Sequence, residues 1–311
     1  MFFPGEIWRD TAGQPIQAHG GGVLYAEGTY YWFGENKDKD TIYGRVDVVG
    51  VSCYSSQDLY HWQNEGVVLP AVLDDPKHDL YPRNVAERPK VIYNAHTKTY
   101  VMWLHVDSPD YLYARTGIAV SERPNGPYRY VGSIRPAGAD SRDMTLFQDD
   151  DGSAYVISSS EMNRNLTIAR LTPDYLQTTD QFIKALGKPD AHQGREAPAV
   201  FKHQGRYYLI SSGCTGWDPN IAEWAVADTM LGEWKTMGDP CTGKDAEITY
   251  HAQSTFVLPV TGRPNAYIFM ADRWNRHDLR DSRYVWLPLT FVDGAPQITW
   301  HDSWDLSVFS R

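Results

Sequence analysis

Four residues of this 311-residue chain have types that move protons or hold water, and each stands at a similar distance ahead of a tyrosine-led apolar run. Glu87 precedes Tyr100 by 13 residues, Asp143 precedes Tyr155 by 12, Glu196 precedes Tyr208 by 12 and Gln253 precedes Tyr267 by 14. At the matching place ahead of Tyr31 stands His19-Gly20. Carboxylates that meet at one point repel, and burial disfavours their charged form, so convergence is costly for structure alone. It is the signature of a functional site. A carboxyl whose pKa is raised by a charged neighbour serves as a general acid near neutral pH, and Glu196 beside Asp143 suits that role. An amide such as Gln253 has no useful basicity in its ordinary form, so it positions water more readily than it takes a proton. Each residue also has a plainer reading. Glu196 and Glu87 would pair with the adjacent arginines, Asp143 would cap a strand, and Gln253 would be a satisfied buried amide.

The elements that must position these groups repeat along the chain. Arg195 to Ser212 gives the plan: Glu196, an apolar run at Ala199-Val200-Phe201, a Gln204-Gly205 turn, and a second run from Tyr207. Two such runs around a glycine turn read as a β-hairpin. Tyrosine-led strands recur at Tyr31, Tyr100, Tyr155, Tyr208 and Tyr267, at spacings of 69, 55, 53 and 59 residues. After each come two more strands, among them Val51 to Tyr54, Thr116 to Val120, Leu166 to Leu171, Ile221 to Val226 and Tyr284 to Leu289. Five units of about four strands predict an all-β chain, a five-bladed β-propeller forming one domain over 1–311. A β-sandwich would not repeat five times. In a propeller the starts of the innermost strands ring one axis at one mouth, which brings the chemistry-bearing residues together.

Composition narrows the classes. A net charge of −10 argues against nucleic acid or an anionic membrane as partner, since both need a positive footprint. Eleven Trp and 20 Tyr suit both β-structure and a surface that covers the flat faces of sugars. Cys53, Cys214 and Cys241 are too few and too scattered for a disulfide framework or a thiolate zinc site. No apolar run approaches the ~20 residues of a membrane helix. The opening Met1-Phe2-Phe3-Pro4-Gly5 lacks a basic, apolar leader, which leaves a cytoplasmic protein or one whose leader has been removed.

Glu87-Arg88-Pro89, Ser141-Arg142-Asp143-Met144 and Arg195-Glu196-Ala197-Pro198, set on five blades, resemble glycoside hydrolase family 43 along the whole chain. The resemblance implies an inverting enzyme with Glu196 as general acid and Asp143 as the residue that tunes its pKa. Most members carry a blade-one Asp as general base. This chain has Gln17-Ala18-His19-Gly20-Gly21-Gly22 there, and the Asp falls at Gly20. The stretch from Ile16, the strand Tyr31-Trp32-Phe33-Gly34-Glu35 and His251-Ala252-Gln253-Ser254 resemble a narrower branch, the exo-β-1,3-galactanases, which lack that base. The branch implies that Gln253 holds the water, acting through its imidic-acid tautomer, and that Glu87 binds the terminal sugar. It also implies that Tyr111, Thr215 and Glu35 contact the substrate. An oligosaccharide or polysaccharide is the expected partner. No cofactor is required, and a central calcium, as some members hold, is compatible with the pattern.

The expected reaction is removal of terminal galactose from β-1,3-galactan. α-L-Arabinofuranosides and galactofuranosides are the nearest alternatives, and a non-catalytic glycan-binding propeller is the reading of another class. Loops at Asn36 to Val49, Asp74 to Val85 and Asp107 to Arg115 would decide among substrates. His19 and His251 are expected near the axis, as structural histidines. Asp149 to Gly152 reads as a hairpin turn rather than a calcium loop, and Asn36 to Asp40 as a solvated loop at the pocket rim. No P-loop, dinucleotide-binding glycine pattern, HExxH or GxSxG occurs.

Overall fold

Each predicted repeat is one antiparallel sheet in the computed structural model, which describes residues 1–190 and 193–310. Strands β1 to β4 (His19–Ala26, Thr29–Glu35, Gly50–Ser56, Gln63–Pro70) form blade one. Strands β5 to β8 (Val85–Asn94, Thr99–Asp107, Arg115–Ser121, Arg129–Ile134) form blade two. Blade three is β9 to β12 (Met144–Gln148, Ala154–Ser160, Asn165–Leu171, Thr178–Ala185), and blade four is β13 to β16 (Arg195–His203, Arg206–Gly213, Ala222–Ala227, Lys235–Gly238). Blade five holds β18 to β21 (Gln253–Pro259, Tyr267–Arg273, Arg283–Val292, Ala295–Thr299) and gains a fifth strand, the short β17 (Cys241–Thr242), which pairs parallel with β21. The five-bladed propeller is therefore as expected, with that one addition.

The five tyrosine-led runs are the second strands, β2, β6, β10, β14 and β19. They are buried on both faces because blades stack on either side, so they read as continuous apolar runs rather than alternating ones. In β6 every residue from Tyr100 to Asp107 is buried. The outermost strands β4, β8, β12 and β16 are mostly exposed or half-buried and each carries a charged residue, among them Glu65, Arg129, Lys184 and Lys235, which protects the sheet edges from pairing with other chains. Tight turns join first to second strands: Gln204 and Gly205 both adopt positive φ, 47° and 79°, the turn geometry that matches strand twist.

The core is a set of layers between adjacent blades rather than one central mass. Val51, Met102, Leu104 and Tyr128 fill the layer between blades one and two, and Ile157, Leu209, Ala225 and Trp234 the layer between three and four. The seam between blades five and one is aromatic. Trp8, Trp32, Trp62, Trp286 and Trp304 pack there with Phe2 and Tyr284. A backbone bridge from Phe2 to Trp304 closes the ring, and the two rings stack at 4.4 Å.

Candidate active site

In blades one, two and four a β-bulge near the start of the first strand re-aims the chain at the mouth, and in blade two it delivers two successive side chains, Glu87 and Arg88, to one pocket. The register slips between His19 and Gly22, between Glu87 and Lys90, and between Glu196 and Ala199. The residues inside these bulges, Gly20, Arg88 and Ala197, adopt φ of 60°, 53° and 54°. An extra residue in a left-handed conformation bends the strand and re-aims its neighbours. Across the pairing, His19 lies opposite Glu35, Glu87 opposite His105, Glu196 opposite Ser212 and Gln253 opposite Asp272. Residues of both first and second strands therefore reach the mouth: Glu87, Glu196 and Gln253 from first strands and Glu35 from a second strand line it, with Ser212 and Asp272 in a chamber beside it.

Arg88 is the hub. Its Nε lies 2.9 Å from Asp143 Oδ1, its Nη1 donates to Ser254 O at 2.9 Å, and its Nη2 donates to Gln253 Oε1. The second oxygen of Asp143 accepts the Ala197 backbone N–H at 3.0 Å. A guanidinium can only donate, so the carbonyl end of Gln253 must face Arg88 and its NH2 must face away. That NH2 donates to Glu196 Oε1 and to Ser212 Oγ, each at 2.9 Å. Asn163 Nδ2 donates to the other Glu196 oxygen at 3.3 Å. No arginine pairs with Glu196 among the described residues, since Arg195 turns away to Ser211 and Glu223. Burial, then the charge of Asp143, push the Glu196 carboxyl up to about 8, with Arg88 opposing.

Glu87 is held as an ion. Burial works to raise its pKa, but His105 at 3.3 Å, the charge of Lys37 and the hydroxyl of Tyr111 at 3.0 Å outweigh burial and keep it below the usual carboxylate range. Asp107, 2.9 Å from His105 Nε2, completes the chain and keeps that imidazole protonated. Glu35 pairs with Lys37 at 2.7 Å and accepts the Arg88 backbone N–H at 2.9 Å.

The structure brings Glu35, Glu87, Tyr111, Asp143, Glu196 and Gln253 around one pocket of about 390 Å³. Thr215 is not among them. It is exposed, and its hydroxyl is engaged by Asp218 and Asn220 within the loop that presents Gly216 and Trp217 to the pocket. His19 is fully buried and stacked on Tyr284. His251 is exposed, 3.4 Å from Asp245. Lys37, read from sequence as part of a solvated loop, is buried against Glu35. Arg88, His105, Asp272, Trp217 and Trp274 were not singled out from sequence. A signal existed for two of them: His105 and Asp272 each stand five residues after a repeat tyrosine, close to the offset of Glu35 from Tyr31.

Glu87, His105 and Asp143 are the one group of three potential metal ligands within mutual reach among the described residues. Calcium takes six to eight oxygens. This set offers a cationic imidazole and an aspartate already paired with Arg88, and it does not suit calcium.

The missing blade-one aspartate has a structural counterpart. A Cβ built on Gly20 would fall inside the van der Waals contact of Glu35 Oε1, with Arg88 Cγ next. The carboxyl of Glu35, from the neighbouring strand, fills the space a side chain at position 20 would need. Gly20→Ala should therefore cost more than Gly28→Ala, where φ is also positive but nothing lies within 4 Å. The backbone term of about 1–2 kcal/mol is common to both, and overpacking adds about 1–3 kcal/mol at Gly20 only. Urea unfolding of both variants reads the difference, and Glu35→Ala in the Gly20→Ala background should remove it.

Two of the three loops predicted to set specificity line the pocket, through Tyr43, Gly44 and Arg45 and through Tyr111, and the third is held against them. Arg45 ties them together by donating to Pro109 O at 2.8 Å and to Arg83 O at 3.3 Å. Trp217 and Trp274, 5.8 Å apart and edge to face, line the same pocket, with Trp217 packed beside Gly44 of the first loop.

Comparison with known proteins agrees with this arrangement. The profile described as "Glycosyl hydrolases family 43" matches residues 17–304. Among solved structures, the GH43 β-1,3-galactosidase BT0265 is 43% identical with a TM-score of 0.93, over 99% of this chain and 64% of that one. The GH43 β-1,3-galactosidase BT3683, solved with galactodeoxynojirimycin, is 42% identical with a TM-score of 0.92, over 98% of this chain and 100% of that one. The exo-β-1,3-galactanase of Phanerochaete chrysosporium, solved with galactose, is 39% identical with a TM-score of 0.88, over 99% of this chain and 69% of that one. A curated β-xylosidase of Xylanibacter ruminicola is 28% identical over 156 residues, and the match spans 47% of that protein's length. Five blades, the acidic mouth and the match over nearly the whole chain lead to one conclusion: this chain belongs to glycosyl hydrolase family 43.

Proposed function

We propose that the protein is an inverting, exo-acting glycoside hydrolase that releases terminal galactose from β-1,3-linked galactan. The observation that carries the chemistry is Glu196, with its pKa pushed up to about 8 by burial and by the charge of Asp143. A carboxyl kept protonated at neutral pH at the base of a pocket is poised to protonate a leaving oxygen. The galactan substrate rests on the solved relatives, two β-1,3-galactosidases and an exo-β-1,3-galactanase at 39–43% identity. A pocket of about 390 Å³, near the lower end for ligand sites, fits a chain end better than the middle of a polymer.

In this reading Glu196 gives its proton to the glycosidic oxygen. Asp143 keeps that proton in place and is itself held by Arg88 and the Ala197 N–H. Glu87, ionised by His105, accepts hydrogen bonds from the hydroxyls of the terminal sugar, and Tyr111 fixes its orientation. Glu35 and Lys37 extend the polar floor under the same sugar. Gln253 orients the acid through its NH2 and borders the space from which water attacks.

Incubating the protein with β-1,3-galactobiose and following anomeric protons by NMR tests the proposal. Galactose released first as the α-anomer is the expected result. The β-anomer first would overturn inversion, and no release would overturn the substrate, sending the search to arabinofuranosides and galactofuranosides. The pH dependence carries a sign. Glu196 works protonated, so kcat/KM should fall as pH rises through about 8, and an alkaline limb near pH 5 would remove Glu196 as the acid.

A further inference from the structure

A water that attacks the anomeric carbon must lose a proton, and most carboxylates at the mouth are badly placed to take it. Both oxygens of Asp143 are engaged, by Arg88 and the Ala197 N–H. Both oxygens of Glu87 are engaged, by Tyr111 and His105. Glu35 is fixed by Lys37 and the Arg88 N–H. Gln253 donates from its NH2 and accepts from Arg88 at its oxygen. Its imidic-acid form would need a proton on that same oxygen, which already faces a guanidinium N–H.

Asp272 is different. It is 2% exposed, stands directly opposite Gln253 on β19, and accepts the Gly20 backbone N–H at Oδ2. Its Oδ1 takes no hydrogen bond from the described residues. Residues opposite each other on paired strands project to one face with Cβ atoms about 4.5–5.5 Å apart. Asp272 lines a side chamber of about 220 Å³ together with Ser212, Trp217, Gln253 and Trp274. Trp217, Gln253 and Trp274 also line the main pocket, so the two spaces share a wall. Asp272 is carried by blade five and its carboxylate leans on blade one at Gly20, whereas Glu196 is carried by blade four.

The groups that face it leave its basicity intact. His19 on β1, 3.9 Å away, is held neutral by burial, and its Nδ1 has no hydrogen-bond partner. Arg88 and Lys90 on β5 act at longer range and are committed elsewhere, Lys90 to the carbonyls of Gly20 and Arg88. Glu35 on β2 repels its charge, and the Tyr284 hydroxyl on β20 is bonded to Ile16 O. Burial, as the largest influence, raises its pKa to about 7, a value suited to a general base at neutral pH.

We propose that Asp272 is the proton acceptor for the attacking water, reached through a second water in the chamber beside Gln253. The proposal rests on the glycosidase reading. The bond from C1 to the glycosidic oxygen breaks, and its electron pair leaves on that oxygen, which takes the proton of Glu196. The water oxygen bonds to C1 from the other side, and its proton passes through the chamber water to Asp272. Asp272 then releases the proton to solvent and Glu196 regains one. No oxidant or cofactor enters the balance. A chamber of about 220 Å³ with polar side chains on its wall meets the requirement that a bridging water have room and partners.

The test compares wild type, Asp272→Asn, Asp272→Ala and Gln253→Ala on β-1,3-galactobiose and on an aryl β-galactoside, with and without sodium azide. Wild type must release α-galactose; if it releases none from either substrate, the galactosidase reading falls and the proposal with it. With an active wild type, Asp272→Asn should lower kcat about 10²–10⁴-fold with KM little changed. Azide attacks C1 without needing a base, so Asp272→Ala should regain turnover in azide and form α-galactosyl azide. A merely structural role would not be rescued in this way. Asp272→Asn with near wild-type kcat overturns the proposal. So does rescue of Gln253→Ala but not of Asp272→Ala, which would move the role to Gln253. If neither Asp272 variant folds, the wild-type profile decides: kcat/KM should fall as pH drops through about 7, and an acidic limb near pH 4 overturns the proposal.

Discussion

Glu196→Gln should lower kcat on β-1,3-galactobiose by about 10²–10⁴-fold, the range that positioned proton transfer contributes, while galactose still binds. The amide keeps the shape of the side chain, and its oxygen can still accept from the Gln253 NH2, but its own NH2 cannot accept from Asn163 and it has no acidic proton to give. An aryl galactoside with an acidic leaving group needs less protonation, so the deficit should shrink on it. Stability should move the other way. The folded-state pKa of Glu196, about 8, lies above the ~4.3 of an unfolded chain. The folded state therefore binds the extra proton between those values, and wild-type stability falls as pH rises from about 4 to about 8. The neutral glutamine escapes that loss. Melting temperatures at pH 8 should put Glu196→Gln at or above wild type, and a variant that is both inactive and markedly less stable would remove the argument.

Arg88→Met should be the most destabilising single change at the mouth, by about 3–5 kcal/mol, the cost of leaving a buried charge without its partner. Asp143 would lose the one cation that pairs with it among the described residues, and the oxygens of Gln253 and Ser254 would lose the donors Arg88 gives them. Arg88 also draws the Glu196 pKa down, so its removal should move the alkaline limb of activity to higher pH in whatever folded enzyme remains. Arg88→Lys should recover little, because one ammonium cannot reach three acceptors that a planar fork spans. Urea unfolding and a pH profile read the two effects separately. Unfolding within 1 kcal/mol of wild type would show that Asp143 finds other compensation.

The repeat was legible because two-sided burial leaves a strong mark. Tyr31, Tyr100, Tyr155, Tyr208 and Tyr267 lead strands that must be apolar throughout, and their spacing alone counted the blades. The carboxylates were legible because their offset from those tyrosines is nearly constant. What escaped depends on bulges and loops. One extra residue in β5 turns Arg88 from a neighbour of Glu87 into the partner of Asp143 and Gln253, and a one-residue slip changes the face a side chain occupies. Lys37 sits among four polar residues, and nothing local distinguishes it from its exposed neighbours Asp38 and Lys39. Thr215 and His251 lie in irregular segments whose direction no periodicity fixes. Glu35 was noticed as a substrate contact, but its occupation of the room beside Gly20 is a three-dimensional fact.

The meeting of first-strand and second-strand residues at the mouth has a consequence for how such a protein can change. Several blades supply a residue from one strand or the other, and these look onto one small volume from different bearings. A duty lost at one bearing can pass to a side chain at another while every strand, turn and interblade layer stays as it was. The carboxyls of Glu35 and Asp272 both lie against the bare Gly20, and in the proposed mechanism Asp272 takes such a duty. The frame is strict and the roster around it is interchangeable, so a change of catalytic partner here needs substitutions at a few bearings and no change of fold.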